Sequence, residues 1–249
     1  MKFDTLRVAI LTSKRAPGLE QLLRHPQRSR MFEVACVIST EPSFAQAEAI
    51  ERADVPVLLH AMRNFCNERE VSIRNFDARL AYDRQTAEIL RLMNVDTVLC
   101  LGYLYLLTEP MLRQFPGRIL SIHDSDLSIR RPDGERCYVG LHSTRDAILA
   151  GEKVTRSTLH FVTRKLDSGP VILMSDRYPV PPEATAAALM GDLHAVKQHA
   201  WLQRQTMMND WGTLAARGLE YIACGMCDDG VSDGSDALSA IDETVMVPA

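Results

Sequence analysis

The sequence predicts an α/β fold built on a Rossmann-like, mostly parallel sheet, and three observations predict it. Short apolar runs rich in β-branched residues recur between segments of helical periodicity. The runs are continuous rather than alternating, as expected of strands covered on both faces. Polar and turn-forming residues follow their carboxyl ends, where open sheets of this kind place the ligand crevice.

In chain order, Leu6 to Thr12 is the first buried strand. The loop Ser13-Lys14-Arg15-Ala16-Pro17-Gly18 leads into a helical pattern at Leu19 to Leu23. A strand, a loop and a helix start make an anion-binding corner, to which Lys14 and Arg15 add charge; the same residues read equally as a solvated basic loop. Phe32 to Ser39 is the second strand, Phe44 to Ala53 a helix, and Val55 to Leu59 a short third strand ending at His60, which reads as structural. Residues 63–75 are polar and mixed in charge, a loop or irregular helix. From Asp77 to Leu92 one helical face is apolar, with Asp77 able to cap it.

Thr97 to Leu101 is a strand ending in Gly102, Pro110 to Phe115 a short helix, and Arg118 to Ile122 a strand that delivers His123. Together they form a βαβ crossover that sets two parallel strands side by side. Residues 124–140 are irregular, with a charged turn at Arg130 to Arg136. Leu141 to Ala150 is a helix stopped by Gly151. Ser157 to Val162 and Val171 to Tyr178 are strands whose connecting loop carries Asp167. Thr185 to Leu202 is helical, and the pattern from Trp201 to Arg217 either continues it or breaks near Gly212. Residues 1–180 therefore read as the α/β domain, 181–225 as a C-terminal helical extension, and 226–249 as an acidic tail too poor in apolar residues to order itself.

The 249 residues suffice for one large domain of this class. A formal net charge of -4 provides no broad basic surface, so nucleic acid is not the favoured partner. No stretch approaches the roughly 20 apolar residues of a membrane span, and the amino terminus lacks a signal-peptide core. The expected location is cytoplasmic. Cys36 and Cys100 lie inside strand-like runs and read as small buried hydrophobes. Cys224 and Cys227 have CxxC spacing without a second pair or a nearby histidine, so no metal site is expected there.

Chemistry concentrates on Ser121, His123 and Asp167. Ser121 and His123 lie two apart at a strand end and so share a face. Asp167 precedes Ser168-Gly169-Pro170, where the glycine lets the backbone approach a ligand closely. A histidine donor beside a carboxylate suits acyl or formyl transfer, in which an oxyanion develops on a carbonyl.

On these residues the chain resembles the glycinamide ribonucleotide formyltransferase family and its relatives, methionyl-tRNA formyltransferase and formyltetrahydrofolate hydrolase. Gly102-Tyr103-Leu104-Tyr105-Leu106-Leu107 resembles the folate-side loop, and Ser121-Ile122-His123 the Asn-Ile-His motif. Gly140-Leu141-His142, His160-Phe161-Val162 and Leu166-Asp167-Ser168-Gly169-Pro170 fall in the family's order. The resemblance implies a sheet of the formyltransferase type and formyltetrahydrofolate as formyl donor. It implies an amine as small-molecule acceptor, catalysis by His123 and Asp167, and a folate site at Gly102, Tyr103, Leu104, Leu106, Leu107 and Gly169. Ser13, Lys14, Arg15 and His142 fall on the acceptor side, and His160 reads as core. A homodimer is left open.

Four departures stand out. Ser121 replaces the family's asparagine, which leaves transfer, hydrolysis of the donor, or binding without catalysis as readings. Asp124 and Asp126 follow His123, where they would favour a charged imidazole, face solvent or pair with Arg130 and Arg131, or join His123 and Asp167 around a metal; no metal is the expectation. Pro17 removes one N–H from the first loop, and Tyr105 stands where the family has an arginine in the folate loop.

Overall fold

The computed structural model describes residues 5–42 and 47–226. The acidic tail, Cys227 and the first residues of the helix expected from Phe44 lie outside the described residues. The first half of the chain gives β1 (Leu6–Thr12), α1 (Leu19–Leu23), β2 (Phe32–Ser39), α2 (Ala47–Arg52), β3 (Val57–Leu59), α3 (Met62–Asn67) and α4 (Phe76–Leu92). It continues with β4 (Thr97–Cys100), α5 (Glu109–Gln114), β5 (Ile119–His123) and α6 (Ser143–Leu149). Then follow β6 (Val154–Thr155), β7 (Thr158–Phe161), β8 (Val171–Met174), β9 (Tyr178–Pro179), α7 (Pro182–Leu189), α8 (Leu193–Met208) and α9 (Trp211–Ala223).

Seven strands form one sheet in the order β3-β2-β1-β4-β5-β7-β8. The first five are parallel, and β7 and β8 add antiparallel to that edge. The chain works outward from β1 and then returns to β4, so the order reverses between these two strands and their carboxyl ends flank the expected crevice. In β1, Leu6, Val8 and Ile10 pack with Leu19, Leu22, Trp211 and Leu214 on one face, while Ala9 and Leu11 pack with Leu90, Met111 and Phe115 on the other. A strand buried on both faces needs no polar alternation, and each such Leu or Ile contributes roughly 1.5–3 kcal/mol on burial. Helix α9 shares this main core, whereas Ala184 and Ala187 of α7 and Val196 and Ala200 of α8 pack with Ile148 of α6 in a separate cluster.

Several local expectations are corrected. The side chain of Asn75, not Asp77, caps α4, accepting from the Ala78 N–H at 2.9 Å. Asp77 lies in the first helical turn, where it can only complement the dipole. Of the two readings open for residues 63–75, the helix holds over Met62–Asn67, because Met62, Phe65 and Cys66 bury one face against Tyr82. The strand expected through Tyr178 stops at Met174, and Tyr178–Pro179 pairs separately with β6. The C-terminal helices break after Leu189, at left-handed Gly191, and again at Asn209–Asp210.

Gly212 lies inside α9, where its backbone packs directly on Gly18; a Cβ at position 212 would stand 2.3 Å from the Gly18 oxygen. Gly212→Ala is therefore expected to lower the melting temperature by about 5–10 °C, since α1 and α9 must separate. Thermal unfolding followed by circular dichroism checks it; an unchanged Tm would mean that the two helix starts yield freely. No described helix is long and apolar enough to cross a membrane.

Candidate active site

Strand β5 carries Ser121 and His123 toward its carboxyl end. Register pairs Ser121 with Cys100 on β4 and with His160 on β7, while His123 pairs with Thr158. The His123 ring is buried, and its Nε2 lies 2.9 Å from the Tyr138 carbonyl, which can only accept. Nε2 is therefore a donor. Its Nδ1 lies 3.5 Å from Asp167 Oδ2 and 3.9 Å from Asp124 Oδ1, both too long for a full hydrogen bond. In a ring with its single proton on Nε2, Nδ1 can only accept; it becomes a donor when the imidazole carries a second proton, with both carboxylates beside it.

Asp167 is held from several directions. Its φ is 48°, a left-handed conformation that costs energy outside glycine. Arg136, buried beneath the loop, donates to the carbonyls of Asp167 and Gly169, the latter at 2.7 Å. The Gly140 N–H donates to Asp167 Oδ2 at 2.8 Å. Gly169 is needed for packing: a Cβ there would lie 1.9 Å from the Phe161 oxygen. These contacts fix a carboxylate between two imidazoles, since His160 Nε2 stands 3.7 Å from Asp167 Oδ1.

His160 is core, as its sequence suggests, but it also borders Asp167. Burial pushes its pKa down to about 4, against the attraction of Asp167. The folded state therefore keeps it neutral where the unfolded chain would protonate it. The resulting stability is full above the unfolded value near 6.5 and is lost as pH falls from there toward 4, a change on the order of 3 kcal/mol. His160→Gln is expected to flatten the stability profile between pH 6.5 and 4. Denaturant unfolding across that range checks this, and an equally steep profile in the variant would assign the acid sensitivity elsewhere.

Asp124 does not face solvent or the arginines of the 130–136 turn. It is buried, accepts from Ser143 Oγ at 2.9 Å, and forms a close ion pair with Arg204 of α8. Asp126 accepts from its neighbour Ser128 instead. Among the described residues no group of three or more His, Cys, Asp or Glu side chains is placed to hold a metal ion.

A cavity of about 550 Å³ opens over these groups. Ser121, His123, Asp167, His142 and His160 line it, together with Gly102, Tyr103, Leu104, Leu106 and Leu107. The 102–107 segment supplies an apolar wall, and Leu104 and Leu106 remain partly exposed. Arg79 of α4 anchors this wall by donating to the Leu106 carbonyl, and its guanidinium lies 5.1 Å from the centre of the Tyr105 ring. Asp83, 3.7 Å from Arg79, accepts from the Thr108 N–H at 2.5 Å and from its hydroxyl at 2.7 Å. Sequence reasoning missed Arg79, Arg136 and Arg204. A usable signal existed for Arg79: it shares a helix face with Tyr82, Asp83 and Leu90, so a charged pair sits on the buried stripe.

Three expected binding residues and one glycine lie outside the cavity lining. The Ser13 hydroxyl is buried between the Thr40 hydroxyl at 3.0 Å and the Leu104 N–H at 3.2 Å. Lys14 is exposed, and Arg15 reaches Gln205 beside a separate, smaller depression. Gly169 packs behind the loop instead of facing the cavity. His60 is structural, stacked on Tyr82 at 3.9 Å and hydrogen bonded to Thr86.

The model of the formyl transferase family matches residues 6–206. The chain belongs to the formyl transferase family. It is 27% identical over 178 residues to a phosphoribosylglycinamide formyltransferase of Haemophilus influenzae, covering 71% of this chain and 74% of that protein. It is 30% identical over 167 residues to a formyltetrahydrofolate deformylase of Bacillus subtilis, covering 67% of this chain and 48% of the relative. A trifunctional purine biosynthetic protein of Drosophila melanogaster is 27% identical over 205 residues, of which the match spans 81% of this chain but only 14% of the relative. Among solved structures, glycinamide ribonucleotide transformylase 1 from Symbiobacterium toebii superposes with a TM-score of 0.67 at 28% identity, covering 90% of both chains. The mostly parallel sheet of this formyl transferase family member is thus the family's fold.

Proposed function

We propose that this formyl transferase family member moves a formyl group from formyltetrahydrofolate to an amine. The observation that carries the reading is the convergence of His123 Nδ1 and Asp167 Oδ2, 3.5 Å apart, on a cavity walled by residues 102–107. A volume of about 550 Å³ and an apolar wall beside few polar groups suit a drug-sized ligand such as a folate. Gly102, Tyr103, Leu104, Leu106 and Leu107 would hold it, and His142 borders the space left for the amine.

The folate supplies an activated formyl carbonyl. In its doubly protonated form, with Asp124 and Asp167 beside Nδ1, His123 donates from that nitrogen to the formyl oxygen as negative charge develops there, and Ser121 adds a shorter hydroxyl donor or holds a water. The amine nitrogen bonds to the formyl carbon, and the bond from that carbon to the folate nitrogen breaks. Asp167 takes the proton that the amine loses and returns it to the departing folate nitrogen, so the exchange balances. Rate of tetrahydrofolate release, measured with pure protein across a panel of amines, tests the reading. Release that rises with amine supports it, and release indifferent to every amine removes it.

A second reading, hydrolysis of the donor to formate, is favoured by Ser121, because a small hydroxyl beside His123 leaves room for water where an amide would stand. The likeness to a deformylase agrees with it. Formate produced at enzymatic rates without amine would carry this second reading.

A further inference from the structure

The geometry points to Arg204 as the acceptor-selecting residue, one that binds a carboxylate or phosphate carried a few bonds from the reacting amine. This rests on the proposed amine acceptor and adds its chemical class. Arg204 projects from α8 into the same cavity as His123 and Asp167. Its side chain is 33% exposed, whereas that of its partner Asp124 is 7% exposed. Among the described residues the guanidinium has one polar partner, Asp124, which it meets through Nε. That leaves the terminal nitrogens, the fork best suited to two oxygens of one anion.

The position is built rather than incidental. The neighbouring Gln203 is buried and donates to the Thr155 hydroxyl at 2.8 Å and to the carbonyls of Pro179 and Tyr178 at 3.0 and 3.2 Å. It thereby fixes the rotation of α8 about its axis. On the other side, Ser143 and Thr144 at the start of α6 bind the Asp124 side chain and carbonyl. Asp124 in turn lies one residue from His123, so an anion on the Arg204 fork is held one carboxylate's breadth from the imidazole. An arginine needed only to neutralise Asp124 could be wholly buried; this one keeps its outer edge in the cavity.

The test uses three amines of matched length, phosphoethanolamine, β-alanine and uncharged ethanolamine, with formyltetrahydrofolate. Wild-type protein is expected to favour one or both anionic amines over ethanolamine at least tenfold in kcat/KM, and their relative order distinguishes phosphate from carboxylate. Arg204→Gln should reduce that preference 10- to 100-fold through KM, with Arg204→Lys intermediate. An unchanged ratio in Arg204→Gln, or a wild-type preference for ethanolamine, overturns the proposal. Because removing Arg204 strands a buried carboxylate, the Asp124→Asn/Arg204→Gln pair is compared on the same ratio if the single variant melts early. Should no amine be formylated, the reading of the reaction fails while this inference stays measurable by calorimetry. Phosphoethanolamine or β-alanine binding that weakens at least tenfold in Arg204→Gln supports it, and absence of binding to wild type overturns it.

Discussion

Replacing Asp167 by asparagine is expected to lower kcat by about a thousandfold while the protein stays folded. The substitution preserves volume, and the clamp on this loop acts on backbone atoms that asparagine retains, namely the carbonyls of residues 167 and 169 bound by Arg136. What changes is the carboxylate itself. Oδ2 accepts from the Gly140 N–H at 2.8 Å and faces His123 Nδ1 at 3.5 Å, while Oδ1 faces His160 Nε2 at 3.7 Å. An amide can satisfy Gly140 with its oxygen, but its NH2 then takes the Oδ1 place facing His160, and the neutral group can no longer take up a proton. Loss confined to kcat, with Tm within a few degrees of wild type and KM for the folate little altered, is the outcome expected. A variant within threefold of wild-type kcat would remove Asp167 from proton transfer and leave it a loop anchor.

Legibility in the sequence followed how local the determining forces are. Strands β1, β2, β4 and β5 are buried on both faces, so their composition alone announces them. His123 and Asp167 were legible because each follows such a strand or lies in a glycine-bearing turn, and the structure brings their side chains together. The break at Gly191 was harder to see: Leu189, Met190 and Leu193 are all exposed, so apolar periodicity there does not report the core. Arginines were the least legible class. On a helix Arg204 reads as solvated, because its partner Asp124 belongs to the β5–α6 connection and pairing across the fold leaves no local pattern. Ser13 misled in the opposite sense, since a serine in a loop after a strand reads as a ligand donor until Thr40 and the 102–107 segment close over it.

Ser121→Asn is expected to raise formyl transfer to an accepted amine by about a hundredfold relative to formate release, since one oxyanion donor is commonly worth two to three orders of magnitude. Position 121 lies on β5 between Cys100 and His160, and it is half-buried at the cavity floor. Burial raises the Cys100 thiol to about 12, so it stays protonated and offers no competing anion. The nearby His160 ring is kept neutral by its own burial. A longer amide at 121 would reach further into the space beside His123 than a hydroxyl does, giving the developing oxygen two donors instead of one good donor and a distant second. The ratio of formylated amine to formate, measured in one reaction mixture, separates the outcomes. A rising ratio identifies the serine as a weakened form of a transfer site, whereas a falling ratio with faster formate release would show that position 121 serves water. Loss of both products with an unchanged fold would mean that the cavity floor has been shaped around the smaller residue, so that geometry at His123 matters more than the number of donors.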